Sequence, residues 1–104
     1  MNNEEKILNM IGLCKRAGKL ITGESAVLES IRGKNSQLVI IAGDASLKTM
    51  KKFTDKCKSF ERNFIIFSDR FCLGRYTNRQ YTVTISVNDK NFAKRILDLF
   101  CENT

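Results

Sequence analysis

The segment from Lys15 to Ser25, K-R-A-G-K-L-I-T-G-E-S, sets three cations and two glycines around the entrance of a helix. Lys15, Arg16 and Lys19 bring positive charge. Gly23 lets another backbone come close, and the first amides of the helix that starts at Glu24 point outward with no intrahelical partner. Groups of these types at this spacing hold anions. Thr22 or Ser25 is placed to cap the helix, while Glu24 answers its dipole and opposes an incoming phosphate. A second group, Asn78-Arg79-Gln80-Tyr81, joins amide, guanidinium and aromatic ring. That mixture suits stacking on unpaired bases and reading of their edges.

Each group also has a plainer use. Gly23 can serve turn geometry alone. Asn78 can adopt the left-handed conformation of a surface turn ahead of a strand whose Tyr81 belongs to the core. A carboxylate enzyme would be built around Asp44 at a strand end, with Glu24 and Asp69 on nearby turns, but Asp44 serves equally as a helix cap. The sequence has no histidine, which removes the commonest general base, and neither a G-x-G-x-x-G nor a Walker pattern. No catalytic residues are assigned and no enzymatic activity is expected. Cys14, Cys57, Cys72 and Cys101 include no C-x-x-C pair, so they read as free thiols acting as small hydrophobes, with no metal and no cofactor.

These residues need a scaffold, and the chain supplies an alternating one. A first helix over about Glu4–Ala17 turns Ile7, Leu8, Met10, Ile11, Cys14 and Ala17 to one face and ends at Gly18, the left-handed stop. A short strand at Lys19–Thr22 leads to a helix over Glu24–Arg32, ended by Gly33 and Lys34. Leu38–Ala42 reads as a strand buried on both faces, and Asp44 or Ser46 caps a helix over Leu47–Ser59. In that helix Leu47, Met50, Phe53, Cys57 and Phe60 oppose Lys48, Lys51, Lys52, Lys56 and Lys58. A second buried strand at Phe64–Phe67, a short helix at Arg70–Tyr76 and a half-covered alternating strand at Tyr81–Val87 follow. Asn88 or Asp89 caps the last helix, which buries Phe92, Ile96, Leu97, Leu99 and Phe100. Helix followed by four strand–helix pairs predicts an α/β fold: a three-layer α/β/α sandwich on a four-stranded sheet, largely parallel or mixed. Ligands of such sheets gather on the turns at one end, here Lys19–Ser25, Gly43–Ser46 and Thr77–Tyr81.

The 104 residues suit one domain, 1–104, and 42% apolar with 28% charged residues is globular composition. No apolar run approaches the roughly 18 residues that span a bilayer, and M-N-N-E-E-K lacks the layout of a signal peptide. A cytoplasmic protein with no membrane partner is expected. A balance of 18 basic to 11 acidic residues, net +7, points to an acidic partner, nucleic acid first.

Four stretches in this order, I-G-L-C-K-R-A-G-K-L-I-T-G-E, V-I-I-A-G-D-A-S with the lysine-rich helix after it, C-L-G-R-Y, and the last helix after N-D-K-N-F-A-K, cover almost the whole chain. Together they resemble the L-seven-Ae family of ribosomal and kink-turn RNA-binding proteins, in particular its short bacterial, YlxQ-like branch. The resemblance implies an α/β/α sandwich and a non-catalytic, ribosome-associated monomer that binds structured, kink-turn-like RNA and no small-molecule substrate. In that family the turn before the second helix carries G-x-N-E-x-x-K, which meets sheared G·A pairs, and a loop before the last strand covers the unstacked bases. Aligned through Gly23 and Ile31, this chain keeps the glycine but has Ser25 for the Asn, Ala26 for the Glu and Glu29 for the Lys. Ser25 offers one short hydroxyl in place of a two-way amide. The resemblance places the RNA against Thr22, Gly23, Glu24, Ser25 and Glu29 on one side and Asn78, Arg79 and Gln80 on the other, with Lys15, Arg16 and Lys19 in electrostatic support. The three departures favour an alternative, a protein-interaction module on the same fold.

Overall fold

Four of the five helices of the computed structural model, which describes residues 2–102, begin where the chain offers a capping side chain. Met1, Asn103 and Thr104, the ends of the expected domain, lie outside the described residues. The order is α1 (Asn3–Arg16), β1 (Leu20–Thr22), α2 (Glu24–Arg32), β2 (Leu38–Ile41), α3 (Leu47–Ser59), β3 (Phe64–Ile66), α4 (Arg70–Tyr76), β4 (Thr84–Val87) and α5 (Lys90–Cys101). Asn2, Ser46, Asp69 and Asp89 accept hydrogen bonds from first-turn amides of α1, α3, α4 and α5. Gly18, at φ 73°, turns the chain out of α1 as expected.

The strands lie in the order β1-β4-β2-β3. β2 and β3 run parallel, while β4 is antiparallel to both its neighbours, β1 and β2. The sheet is therefore mixed, not largely parallel. Its two faces carry separate cores. Leu38, Ile40, Ile85 and Val87 pack with Ile7, Ile11, Leu73, Ile96 and Leu99 from α1, α4 and α5. Val39 and Ile41 pack with Val27, Ile31 and Phe53 from α2 and α3. The arrangement is the three-layer sandwich predicted from the alternation. Cys14 belongs to the first core and Cys57 to the second, so the sheet itself separates two of the four thiols.

Four local expectations are corrected. β3 covers Phe64–Ile66 at the sheet edge and leaves Ile66 exposed, so it is not a buried strand over Phe64–Phe67. β4 begins at Thr84, not Tyr81, because the Thr82 amide donates to the Arg70 carbonyl (2.9 Å) and leaves the ladder. β4 is buried on both faces, not half-covered. Its alternation of Thr and Ser with Ile and Val reflects two different interiors: Ser86 donates to Asn88, whose amide reaches the Ser30 hydroxyl of α2. Leu47 is 89% exposed although it falls on the apolar stripe of α3. It sits in the first turn, beyond the edge of the core that Phe53 and Cys57 fill.

Burial keeps both core thiols protonated. Desolvation first, and the Asp89 carboxylate second, push Cys14 from its ordinary 9.0 up to about 12. Burial raises Cys57 to about 11. The unfolded chain loses these protons near pH 9, so the thiols' contribution is fully present below that pH and falls as pH rises through the folded values. A Cys14→Ala/Cys57→Ala variant should therefore lose stability less steeply than the parent above pH 9, measured by urea titration. Equal slopes would show that the thiols do not couple folding to alkaline pH.

Candidate nucleic-acid interface

The pairing of β1 with β4 builds the site. Thr22 at the end of β1 stands opposite Ile85, so the chain leaves β1 at Gly23 where β4 is about to begin with Thr84. The Gly23 turn and the loop that leads into β4 are thus held side by side. Between them lies a cleft of about 580 Å³ bordered by Gly23, Glu24, Asn78, Arg79, Gln80 and Tyr81, with Thr82, Val83 and Thr84 beyond them.

On one side is the start of α2. Gly23 is its N-cap at φ 95°, ψ 142°, and no side chain caps the helix, contrary to the expectation for Thr22 or Ser25. Thr22 is half-buried in the strand, and Ser25 is exposed on the first turn. The backbone conformation explains the glycine: a Cβ would meet nothing within 4 Å, but the positive φ would strain any other residue. Glu24 is held 3.7 Å from Lys52 of α3, so its charge is partly answered from outside the cleft.

On the other side is the loop after α4. Asn78 is left-handed at φ 59°, as the sequence suggests. The Arg79 amide donates to the Gly74 carbonyl (3.0 Å), and the hydroxyls of Thr77 and Thr82 meet at 2.8 Å. These bonds brace the loop from within and leave Arg79, Gln80 and Tyr81 exposed. Tyr81 is 55% exposed, so its core placement is corrected. Gly74 makes the bracing possible, because a Cβ there would stand 2.8 Å from Arg79 O and Tyr81 Cα and 2.9 Å from Gln80 O. At the floor, Thr84 is 1% exposed. Among the described residues, its hydroxyl is the buried side-chain polar atom with no hydrogen-bond partner.

The remaining expected residues divide. Lys15 and Arg16 line a neighbouring groove with Asn78, not the cleft itself. Lys19 precedes β1 at the end far from Gly23, and its carbonyl accepts from Asn88; the three residues of β1 set it roughly 13 Å from Gly23. Glu29 is exposed further along α2. The Gly43–Ser46 turn shares this end of the sheet, yet its groups serve the fold. The Arg70 amide and Nε donate to the two Asp44 carboxylate oxygens (3.0 and 3.1 Å), while Nη2 reaches the Asp44 carbonyl (2.7 Å). Ser46, not Asp44, caps α3, and Asp69 caps α4. All three carboxylates of the enzyme reading thus have structural partners. On the lysine face of α3, Lys51 is bonded to Asp55 at 2.7 Å, which raises the lysine's pKa and lowers the carboxylate's. Thr82, Val83 and Thr84 are the cleft residues absent from the expected site. The polar neighbours of Tyr81 were an available sign of exposure, whereas the Thr84 hydroxyl carries no local signal.

Residues 5–97 match the ribosomal protein L7Ae/L30e/S12e/Gadd45 family. The chain is 36% identical over 90 residues to the RNA-binding protein YlxQ of Bacillus subtilis (strain 168), an alignment covering 86% of this chain and 90% of that protein. Among solved structures it resembles a protein with unknown function from Bacillus halodurans C at TM-score 0.89 and 34% identity, over 92% of this chain and 97% of the other. It also resembles the Giardia lamblia 15.5kD RNA binding protein at TM-score 0.81, 20% identity, and 92% and 85% coverage, a likeness of fold.

The close approach at Gly74 generates a direct test. Gly74→Ala should destabilise the protein by about 1–3 kcal/mol in urea unfolding and shift the amide resonances of Arg79–Tyr81. Unchanged stability and spectra would mean that the loop does not depend on this contact.

Proposed function

Since the chain belongs to the ribosomal protein L7Ae/L30e/S12e/Gadd45 family, we propose that it is a non-catalytic RNA-binding protein that grips structured, kink-turn-like RNA, acting as a cytoplasmic, ribosome-associated monomer. The observation that carries the reading is the cleft: an α2 start with no side-chain cap faces Arg79, Gln80 and Tyr81 across about 580 Å³. The α2 amides and Arg79 meet phosphates, which position the RNA. Gln80 and Tyr81 meet the bases that a sharp bend unstacks, by edge hydrogen bonds and by stacking. The Thr84 hydroxyl, buried and unpaired, gains a partner when RNA fills the cleft. The name of the Bacillus subtilis relative supports the same reading.

A second reading, a protein-interaction module, draws on three exposed apolar side chains, Leu47, Ile66 and Phe71, and on Ser25, Ala26 and Glu29 standing where the family pattern has other residues. Fluorescence titration of a kink-turn duplex across a salt series separates the two. Binding should weaken with salt by a log–log slope of roughly 0.9 per phosphate contacted, and Tyr81→Ala should cost about 1–3 kcal/mol of affinity. No affinity even at low salt would hand the case to the protein partner.

Thr84→Val offers an independent check. Replacing an unsatisfied hydroxyl by a methyl of the same shape should leave the free protein as stable or more so, by up to roughly 1–3 kcal/mol, while RNA affinity falls. Undiminished affinity would remove Thr84 from the interface.

A further inference from the structure

A second groove opens beside the cleft. Lys15 and Arg16, in the last turn of α1, border it with Arg75 and Tyr76 of α4, and it measures about 460 Å³. Asn78 borders both cavities, so the two adjoin at one residue. The described ion pairs involve Lys51, Lys52, Arg70 and Lys94; Lys15, Arg16 and Arg75 have none, and no carboxylate lines the groove. Three like charges gathered without a counter-charge repel one another until a polyanion lies among them. The groove also has an apolar side. Tyr76 is half-buried and Leu13 is 46% exposed. Gly12 of α1 faces the ring: a Cβ there would stand 3.7 Å from Tyr76 Cδ1, in ordinary van der Waals contact. A side chain longer than alanine's would begin to cover that ring.

We propose that this groove holds a single-stranded RNA extension that leaves the cleft past Asn78, with Lys15, Arg16 and Arg75 on its phosphates and a base against Tyr76. The inference rests on the reading of the cleft as an RNA site and extends it: the ligand is a bent RNA with an unpaired strand attached. Cations spaced along a groove beside an aromatic ring are what unpaired strands bind, largely regardless of sequence. The occupant is thereby distinguished from a second duplex, whose stacked bases would leave Tyr76 without a partner.

The test compares a labelled blunt kink-turn duplex with the same duplex carrying a short oligouridine tail at each strand end in turn. One tail position should tighten binding to the parent protein roughly tenfold and steepen the salt slope by about 0.7 for each tail phosphate contacted. In Arg75→Ala and Arg75→Glu, the ratio of tailed to blunt affinity should fall towards one. Arg75 is exposed, so both variants should fold, which circular dichroism checks. No gain from any tail, or a gain that survives Arg75→Glu, overturns the inference while leaving the cleft reading intact if the blunt duplex binds. Binding of tailed RNA alone, lost in Arg75→Glu, sustains the groove and overturns the cleft reading. No binding of either RNA overturns both.

Discussion

The antiparallel pairing of a three-residue strand, β1, with β4 is the constraint on which the candidate site depends. Leu20, Ile21 and Thr22 stand opposite Val87, Ser86 and Ile85, and that register alone decides which residues meet beyond the strand ends. A slip by one position would turn Leu20 and Ile21 to the wrong faces. It would also carry the Gly23 turn away from the loop that enters β4. The pairing is protected because β4 is central, held on its other edge by four residues of β2, and filled on both faces. The site thus borrows its precision from a central, buried strand, although its contact groups lie on turns, where backbone amides and long side chains remain free to meet a ligand.

The structure also explains why the two turns offer different chemistry. The Gly23 turn is bare: its φ excludes ordinary side chains, and the helix behind it has no side-chain cap. It presents backbone dipoles. The Asn78–Tyr81 loop has its backbone committed inward, to the Gly74 and Arg70 carbonyls, and so presents side chains. One edge is suited to a phosphate chain and the other to bases. The α1–α4 groove adds cations on the side of Asn78 away from Gly23. The carboxylates at this end of the sheet are turned to other uses, Asp44 towards Arg70, Asp69 to its helix and Glu24 towards Lys52.

Much of this was legible in the sequence because local rules and tertiary demands agree. Helix starts carried their own capping side chains at Ser46 and Asp89, and the α2 and α3 limits follow from periodicity and punctuation; Asp69, read as a carboxylate on a turn, proves to cap α4. The buried run Leu38–Ile41 and the apolar block Phe64–Ile66, which lies at the sheet edge with Ile66 exposed, stood out between turn residues. What failed were places where a distant element decides. Nothing near Thr82 says that its amide will bond Arg70 instead of extending β4. Thr84 and Ser86 look like the wet face of a strand until α2 is packed against them. Thr22 and Ser25 are good capping residues in the wrong conformation, since the preceding strand holds Thr22 in the ladder and makes Gly23 the cap.

The candidate cations illustrate the same limit in one dimension of the chain. Lys15, Arg16 and Lys19 are neighbours in sequence and were read as one electrostatic group. In the fold, Gly18 turns the chain between them. Lys15 and Arg16 stay on the end of α1 facing α4, while Lys19 precedes β1 and its carbonyl is tied to Asn88 at the opposite end of the sheet from Gly23. Lys19 is thereby set away from the Gly23 turn and adds to the general field of a +7 chain, whereas Arg79 borders the cleft and Lys15, Arg16 and Arg75 border the groove. The functional unit of charge here is set by which helix ends the sheet brings together, not by how closely the residues follow one another along the chain.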